Sequence, residues 1–377
     1  QGTLSVAIGA NAGTTTQGTE SVAIGAGAGL TNQGDKTVAI GRSAGNDTQS
    51  TYAVAVGWEA GKTTQGNTAI AIGYQSGLTT QGNDAIAIGD IAGMTTQGQN
   101  AVALGYSAAR TNQGVASIAI GANTGLTNQG ADAIAIGQDA GQITQGINAV
   151  AIGEDAGETT QGESSVAIGK QAGQTTQGTK AVAIGIEAGK TNQAAGGVSI
   201  GEFAGVTNQG GSSIAIGYKS GFSEQSTQAV AIGKIAGEIS QGASGVAIGE
   251  FAGRTNQGSS AVAIGQLAGN NTQGPSSIAI GPDAGVTTQG TAAVAIGRLA
   301  GEATQGSEAV AIGNAAGKTN QGDEAIAIGA NAGITNQAAN SIIINATGTT
   351  LNNIVEDVFI VKPVRNVAGT LPTGFSQ

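Results

Sequence analysis

Apolar residues recur along this chain with a strict period of sixteen. With positions numbered as in the first copy, position 6 is always Val or Ile. Position 8 runs Ile8, Ile24, Ile40, Val56, Ile72, Ile88, Leu104 and on to Ile344, and position 7 is Ala in every copy through Ala327 but one, Ser199. Position 9 is Gly in all 21 copies from Gly9 to Gly329, and position 17 is Gln in all 21 copies from Gln17 to Gln337. The alternation at Val6–Ala7–Ile8 has period two and is rich in β-branched residues, which predicts a short strand closed by Gly9. A second short segment is expected around residues 12–16, with turns at Gly9, Gly13 and Gln17–Gly18. Two short strands and their turns in sixteen residues make one coil of a β-solenoid. Stacked coils lie about 4.8 Å apart, so 21 of them give a rod of roughly 100 Å.

The unbroken period follows from stacking. An inserted residue would shift the register and turn side chains to the wrong face. The Gln row is expected to form a ladder of side-chain amide hydrogen bonds along the axis. The invariant glycines are expected where φ is positive or a Cβ has no room. Charged residues such as Arg42, Glu59, Lys62, Glu154, Asp155, Lys170, Glu308 and Lys318 fall almost entirely at positions 10, 11, 14, 19 and 20, and none falls at positions 5 to 9. The strand is thus apolar or small on both faces. Ala7 and Ala12 fit inside so thin a coil, which turns Val6 and Ile8 outward as a continuous apolar stripe, the mark of an interface. A cyclic assembly of three chains around one axis is the simplest closed solution.

Composition narrows the class. The chain has 377 residues, 67 of them Gly, with 3% aromatic and 10% charged residues. Collagen periodicity is absent, and the periodic apolar content argues against disorder. Without Cys or His, Cys nucleophiles, imidazole bases and Cys/His zinc sites are excluded. A formal charge of −10 argues against nucleic-acid binding, and no apolar run reaches the length of a membrane helix. "GAGAG" at Gly25–Gly29 lacks the Lys and helix of a phosphate-binding loop. Glu154 and Asp155 fit a solvated turn, and the Asp spacing differs from that of calcium-binding β-rolls. The reading is therefore not an enzyme, with no catalytic, cofactor-binding or metal residues and no cofactor.

"SVAIG" at Ser5–Gly9 and Ser165–Gly169 resembles the head of trimeric autotransporter adhesins. That resemblance covers Leu4 to about Ile344 and implies a left-handed parallel β-roll in a homotrimer. Those heads repeat at about fourteen residues. The sixteen-residue form with "TTQG" or "TNQG" is similar to fibre proteins of large DNA viruses and phages, as are "NSIIINATGTTLN" at Asn340–Asn352 and "VFIVKPVRNVAG" at Val358–Gly369.

The expected fold is therefore an all-β parallel β-roll or β-solenoid of about 21 coils over residues 1–344, in an intertwined or side-by-side homotrimer. A different, non-solenoid end segment is expected over 345–377, because Ile343 and Asn345 replace the small residues of the thin coil and Pro363 and Pro372 fit a ladder poorly. The sequence opens in mid-repeat at Gln1–Gly2, so further copies are expected upstream. The expected function is a structural fibre on a virion surface, serving host attachment. The alternatives are a bacterial trimeric surface adhesin head and an ice-binding solenoid, the last suggested by the Thr row at position 15, which Asp47, Ile143, Ser223, Ile239, Asn271 and Ala303 interrupt. Expected partners are further copies of the chain, a virion or cell-surface anchor, and a host receptor or surface glycan, without nucleic acid or membrane insertion. The aromatics Trp58, Tyr74, Tyr106 and Tyr218 at position 10, Phe203 and Phe251 at position 11, and Phe222 at position 14 sit at exposed corners, where they serve recognition or pack on neighbouring corners.

Overall fold

The computed structural model describes residues 1–364. It is an all-β parallel β-solenoid of about 22 coils, divided into two compact units, Gln1–Gln228 and Ala229–Gln377. In the first unit the fourteen strands at positions 6 to 8, from Val6–Ile8 to Ile214–Ile216, stack in parallel. Their register steps by one repeat, with Val6 opposite Val22, Ala7 opposite Ala23 and Ile8 opposite Ile24. The second unit has the same internal pattern, from Val230–Ile232 to Ile342–Asn345.

The second strand of each coil lies later than the sequence suggests. It is Thr16–Gln17 in the first coil and Thr255–Gln257 in a typical later one. Residues 9–13 are instead a turn, in which the Ala12 amide donates to the Gly9 carbonyl at 3.3 Å. Two glycines per coil serve that turn. Gly9 has φ of 128°, and a Cβ there would stand 2.8 Å from the Gly25 carbonyl of the next coil. Gly13 has φ of 54°, and a Cβ would stand 2.8 Å from the Gln17 Oε1.

Alternation along the strand turns Ala23 inward, where it meets Ala28 and Ser21, all fully buried. Gln33 fills the rest of the coil and is also buried. Its role is double. In a typical coil the Gln65 Nε2 donates across the interior to the Val54 carbonyl at 2.8 Å and along the axis to the Gln81 Oε1 at 3.1 Å. The same rung repeats at Gln81–Gln97, Gln145–Gln161 and Gln257–Gln273. A buried amide needs partners on both ends, and stacking in register supplies them.

One interior rung is interrupted by a visible cause. Position 13 is Gly everywhere except Ala109, which is fully buried at φ of 47°. Its Cβ occupies the space that Gln Oε1 fills elsewhere. The Gln97 Nε2 keeps its bonds to the Ile86 and Ala101 carbonyls, while the buried Gln113 Oε1 has no partner. Gln33 Oε1, beside the first coil, is likewise unpartnered.

The last turns correct one expectation. Ile343 is fully buried and stacks directly on Ala327, so the coil does accept a larger residue there. It does so because the following turn is wider: Ile342 pairs with Phe359, seventeen residues on, and Leu351 comes opposite Ala332. Asn345, in place of Gly, spends its Nδ2 on the Ala330 and Thr349 carbonyls at 2.9 and 2.6 Å. The strand Phe359–Lys362 ends just before Pro363. The remainder of the expected end segment, Pro372 included, lies outside the described residues.

Candidate functional site

Two surfaces stand out. The first is the outer face of the long strands, where the outward side of each alternating triplet carries Val or Ile. In the first unit Ile40, Ile72 and Ile184 each keep more than a third of their surface open, and in the second Ile248, Ile264 and Ile312 do the same. Position 6 residues such as Val22 and Ile86 are half-buried beside them. Since register holds from coil to coil, these residues form two unbroken apolar rows within each unit, as the sequence suggests. No charge interrupts them, because the charged positions are confined to the corners.

The second surface is the corner at positions 10 and 11. Its backbone is fixed by bonds between coils: the Glu59 amide donates to the Arg42 carbonyl at 2.9 Å and the Gln75 amide to the Trp58 carbonyl at 2.8 Å. These bonds hold position 11 in the left-handed region whatever the residue, as at Glu59 with φ of 56°, Ile91 with φ of 50° and Phe203 with φ of 58°. Trp58 and Tyr74 meet edge to face, with ring centres 5.5 Å apart and planes at 88°. The Arg42 guanidinium lies over the Trp58 ring at 5.3 Å. Tyr106 continues the row two coils on.

The other corner aromatics also pack. Phe203 and Tyr218 meet edge to face at 6.1 Å, and Lys219 lies between Tyr218 and Phe222 at 5.6 and 5.7 Å. In the second unit Phe251 sits between Lys234 and Arg254, which pair with Glu250 and Glu238 at 3.0 and 2.8 Å. The aromatics thus do both things the sequence allows: they pack on neighbouring corners and keep open surface, as Trp58 does at 50%.

Electrostatics at these corners are local. Glu59 has both carboxylate oxygens engaged, one by Lys62 Nζ at 2.7 Å and the other by Gln75 Nε2 at 2.8 Å. The Lys62 bond first, then that from Gln75, holds its carboxyl below the usual carboxylate range. Asp35, fully exposed, is lowered by the Thr19 backbone amide and then by its hydroxyl. At four positions of the Thr row, Thr79, Thr95, Thr127 and Thr287, the hydroxyl donates to a backbone carbonyl of the next coil, as from Thr95 to Arg110 at 3.3 Å and from Thr287 to Glu302 at 3.4 Å. Among the described residues no cluster of Asp and Glu has a geometry that could hold a metal ion, and no helix is long and apolar enough to cross a membrane.

Reading the sequence by copies missed the stack of Arg42, Trp58 and Tyr74. Reading down the position 10 column would have found it, because the three fall in consecutive copies.

A coil with small residues inside, Val and Ile outside and a glycine at the strand end is a definite local unit, and it has a known counterpart. Residues 1–28, 145–172 and 273–300 match the YadA head domain repeat. The matched stretches begin in both units, so the YadA-head-like signal is not confined to one part of the array. Comparison with curated proteins and with solved structures gave no match.

Proposed function

We propose that the chain forms the rod of a trimeric surface fibre of adhesin type, working in structure and attachment rather than in catalysis. The observation that carries this is the pair of apolar Val/Ile rows, uncovered along every coil of each unit. A row with this composition stabilises an assembly by about 25 cal/mol per Å² of apolar area removed from water. Three identical chains with their stripes turned to a common axis cover all three stripes and leave the charged corners in water. The match to YadA head repeats supports the same assembly and an extracellular, cell-surface setting.

Sedimentation of the intact chain tests the reading. The wild type is expected to run as a trimer, and a stable monomer would refute it. Ile136→Asp places a carboxylate at the proposed axis but, within one chain, only on a half-buried outer position. It is therefore expected to weaken association while leaving the coil folded.

A virion fibre is the second reading. The sixteen-residue period and the wider turn after Asn345 favour it, through the resemblance of these segments to viral fibres. Immunogold labelling of the source organism and of any particles it releases separates the two. Ice binding is disfavoured by the breaks in the Thr row at Asp47, Ile143, Ser223, Ile239, Asn271 and Ala303, and absence of thermal hysteresis would remove it.

A further inference from the structure

We propose that the corner strip Arg42–Trp58–Tyr74–Asp90–Tyr106 is a binding site for a neutral, linear glycan lying along the solenoid axis. These residues occupy one column in five successive coils, roughly 4.8 Å apart, all within the first unit.

The fold does not need them. The same corner is built on Ala10 and Ala122, with the same bond from the next coil: the Gly27 amide donates to the Ala10 carbonyl at 2.8 Å and the Asp139 amide to the Ala122 carbonyl at 3.0 Å. Position 11 keeps its left-handed φ there, 59° at Asn11 and 54° at Asn123. Large rings at this column thus add nothing that Ala does not already supply to the backbone. They remain open to water, Trp58 at 50% and Tyr106 at 56%.

The strip is also held in place before any ligand arrives. Trp58 is fixed by Tyr74 on one side and Arg42 on the other, and Glu59 is pinned by Lys62 and Gln75. A preformed aromatic surface loses little side-chain freedom on binding.

The chemistry selects a sugar. A pyranose offers a C–H face that lies on an aromatic ring and a rim of hydroxyls that bond planar charged groups. Arg42, over the Trp58 ring, supplies such a group, and Asp90 at the same column and Glu59 at position 11 beside it carry two more. A peptide strand has no free backbone edge to pair with here, because the corner amides are taken by the neighbouring coils. An anionic polymer would need an excess of cations, whereas Arg42 and Lys62 are matched by Glu59 and Asp90 and the chain as a whole is acidic.

The biological setting rests on the surface-fibre reading, but the site can be measured without it. Trp58 is the only tryptophan, so the intrinsic emission of the full chain reports this strip alone. The chain is titrated with cellohexaose, chitohexaose, maltohexaose and mannohexaose to millimolar concentration. A sedimentation run on the same sample records its assembly. At least one sugar is expected to give a saturable blue shift. Tyr74→Ala and Tyr106→Ala should each raise its Kd roughly tenfold, about 1.4 kcal/mol, while Phe251→Ala leaves it unchanged. Ala is native to this column, so these variants fold.

No shift with any of the four sugars overturns the proposal. So does a shift given only by heparin and lost on adding salt, or only by a proline-rich peptide. A trimer that binds no sugar defeats this inference alone; a monomer that binds defeats the fibre reading alone.

Discussion

Ala109→Gly should strengthen the solenoid at its seventh coil. The substitution removes the one Cβ that stands where every other copy of position 13 leaves room for a Gln oxygen. At Gly61 and Gly317 such a Cβ would approach the Gln65 and Gln321 oxygens to 2.8 and 2.5 Å. Three terms enter. Relief of a left-handed Ala is worth about 1 kcal/mol. Giving the buried Gln113 Oε1 a donor in Gln97 recovers about 1–3 kcal/mol. The greater freedom of Gly in the unfolded chain takes back roughly 0.5–1 kcal/mol. The net gain is about 1–3 kcal/mol. Hydrogen exchange reads it locally, at the Gln113 and Gly114 amides, which donate to the Thr96 and Gln129 carbonyls. A tenfold change corresponds to about 1.4 kcal/mol, so exchange there should slow by roughly five-fold to a hundred-fold or more. The mirror substitution Gly61→Ala should speed exchange around Gln65. Unchanged or faster exchange in Ala109→Gly would refute the claim that the Cβ breaks the rung.

Other outcomes follow from the same geometry. Gln145→Leu leaves the buried Gln161 Oε1 without its donor and should cost about 1–3 kcal/mol, measured by denaturant unfolding. Ile91→Gly relieves a β-branched residue held at φ of 50° and should stabilise by about 1 kcal/mol; a loss of stability would count against the strain. Glu59 has a lowered pKa in the folded protein, so its contribution is complete above the ordinary carboxyl value of about 4.3 and is lost as pH falls through the folded value. The melting difference between wild type and Glu59→Gln should therefore shrink in acid. With one set of contacts repeated in every coil, the wild type should melt above the roughly 45–65 °C of ordinary mesophilic domains.

Much of the coil was legible because stacking makes each column report one environment. Small residues at positions 7 and 12 identify the interior, and invariant Gly and Gln identify the turn and the ladder. The second strand was misplaced because Ala12 is apolar for a reason other than strand pairing: it fills the inside of a turn. The left-handed corners were invisible for a different reason. Glu20, Lys36, Tyr52 and Thr68 share positive φ, yet they have no common side-chain chemistry, since the bond each amide donates to the preceding coil imposes the conformation. The fit of Ile343 could not be read from bulk against a fixed coil, because the chain widens its last turn around Ile343 and Leu351. For the candidate site, the residues were visible but their partnership was not, because contacts down a column join residues sixteen apart.

Because the hydrogen bonds between coils run along the solenoid axis, axial tension is borne by those bonds one layer at a time. A stretched unit should yield by peeling single coils from an end, and each released coil adds sixteen residues of slack, about 50 Å of extension. Force spectroscopy would then record a train of similar small steps in place of one large rupture. An attached fibre built this way absorbs a sudden pull by paying out chain, and the next coil inward presents the same resistance as the one just lost.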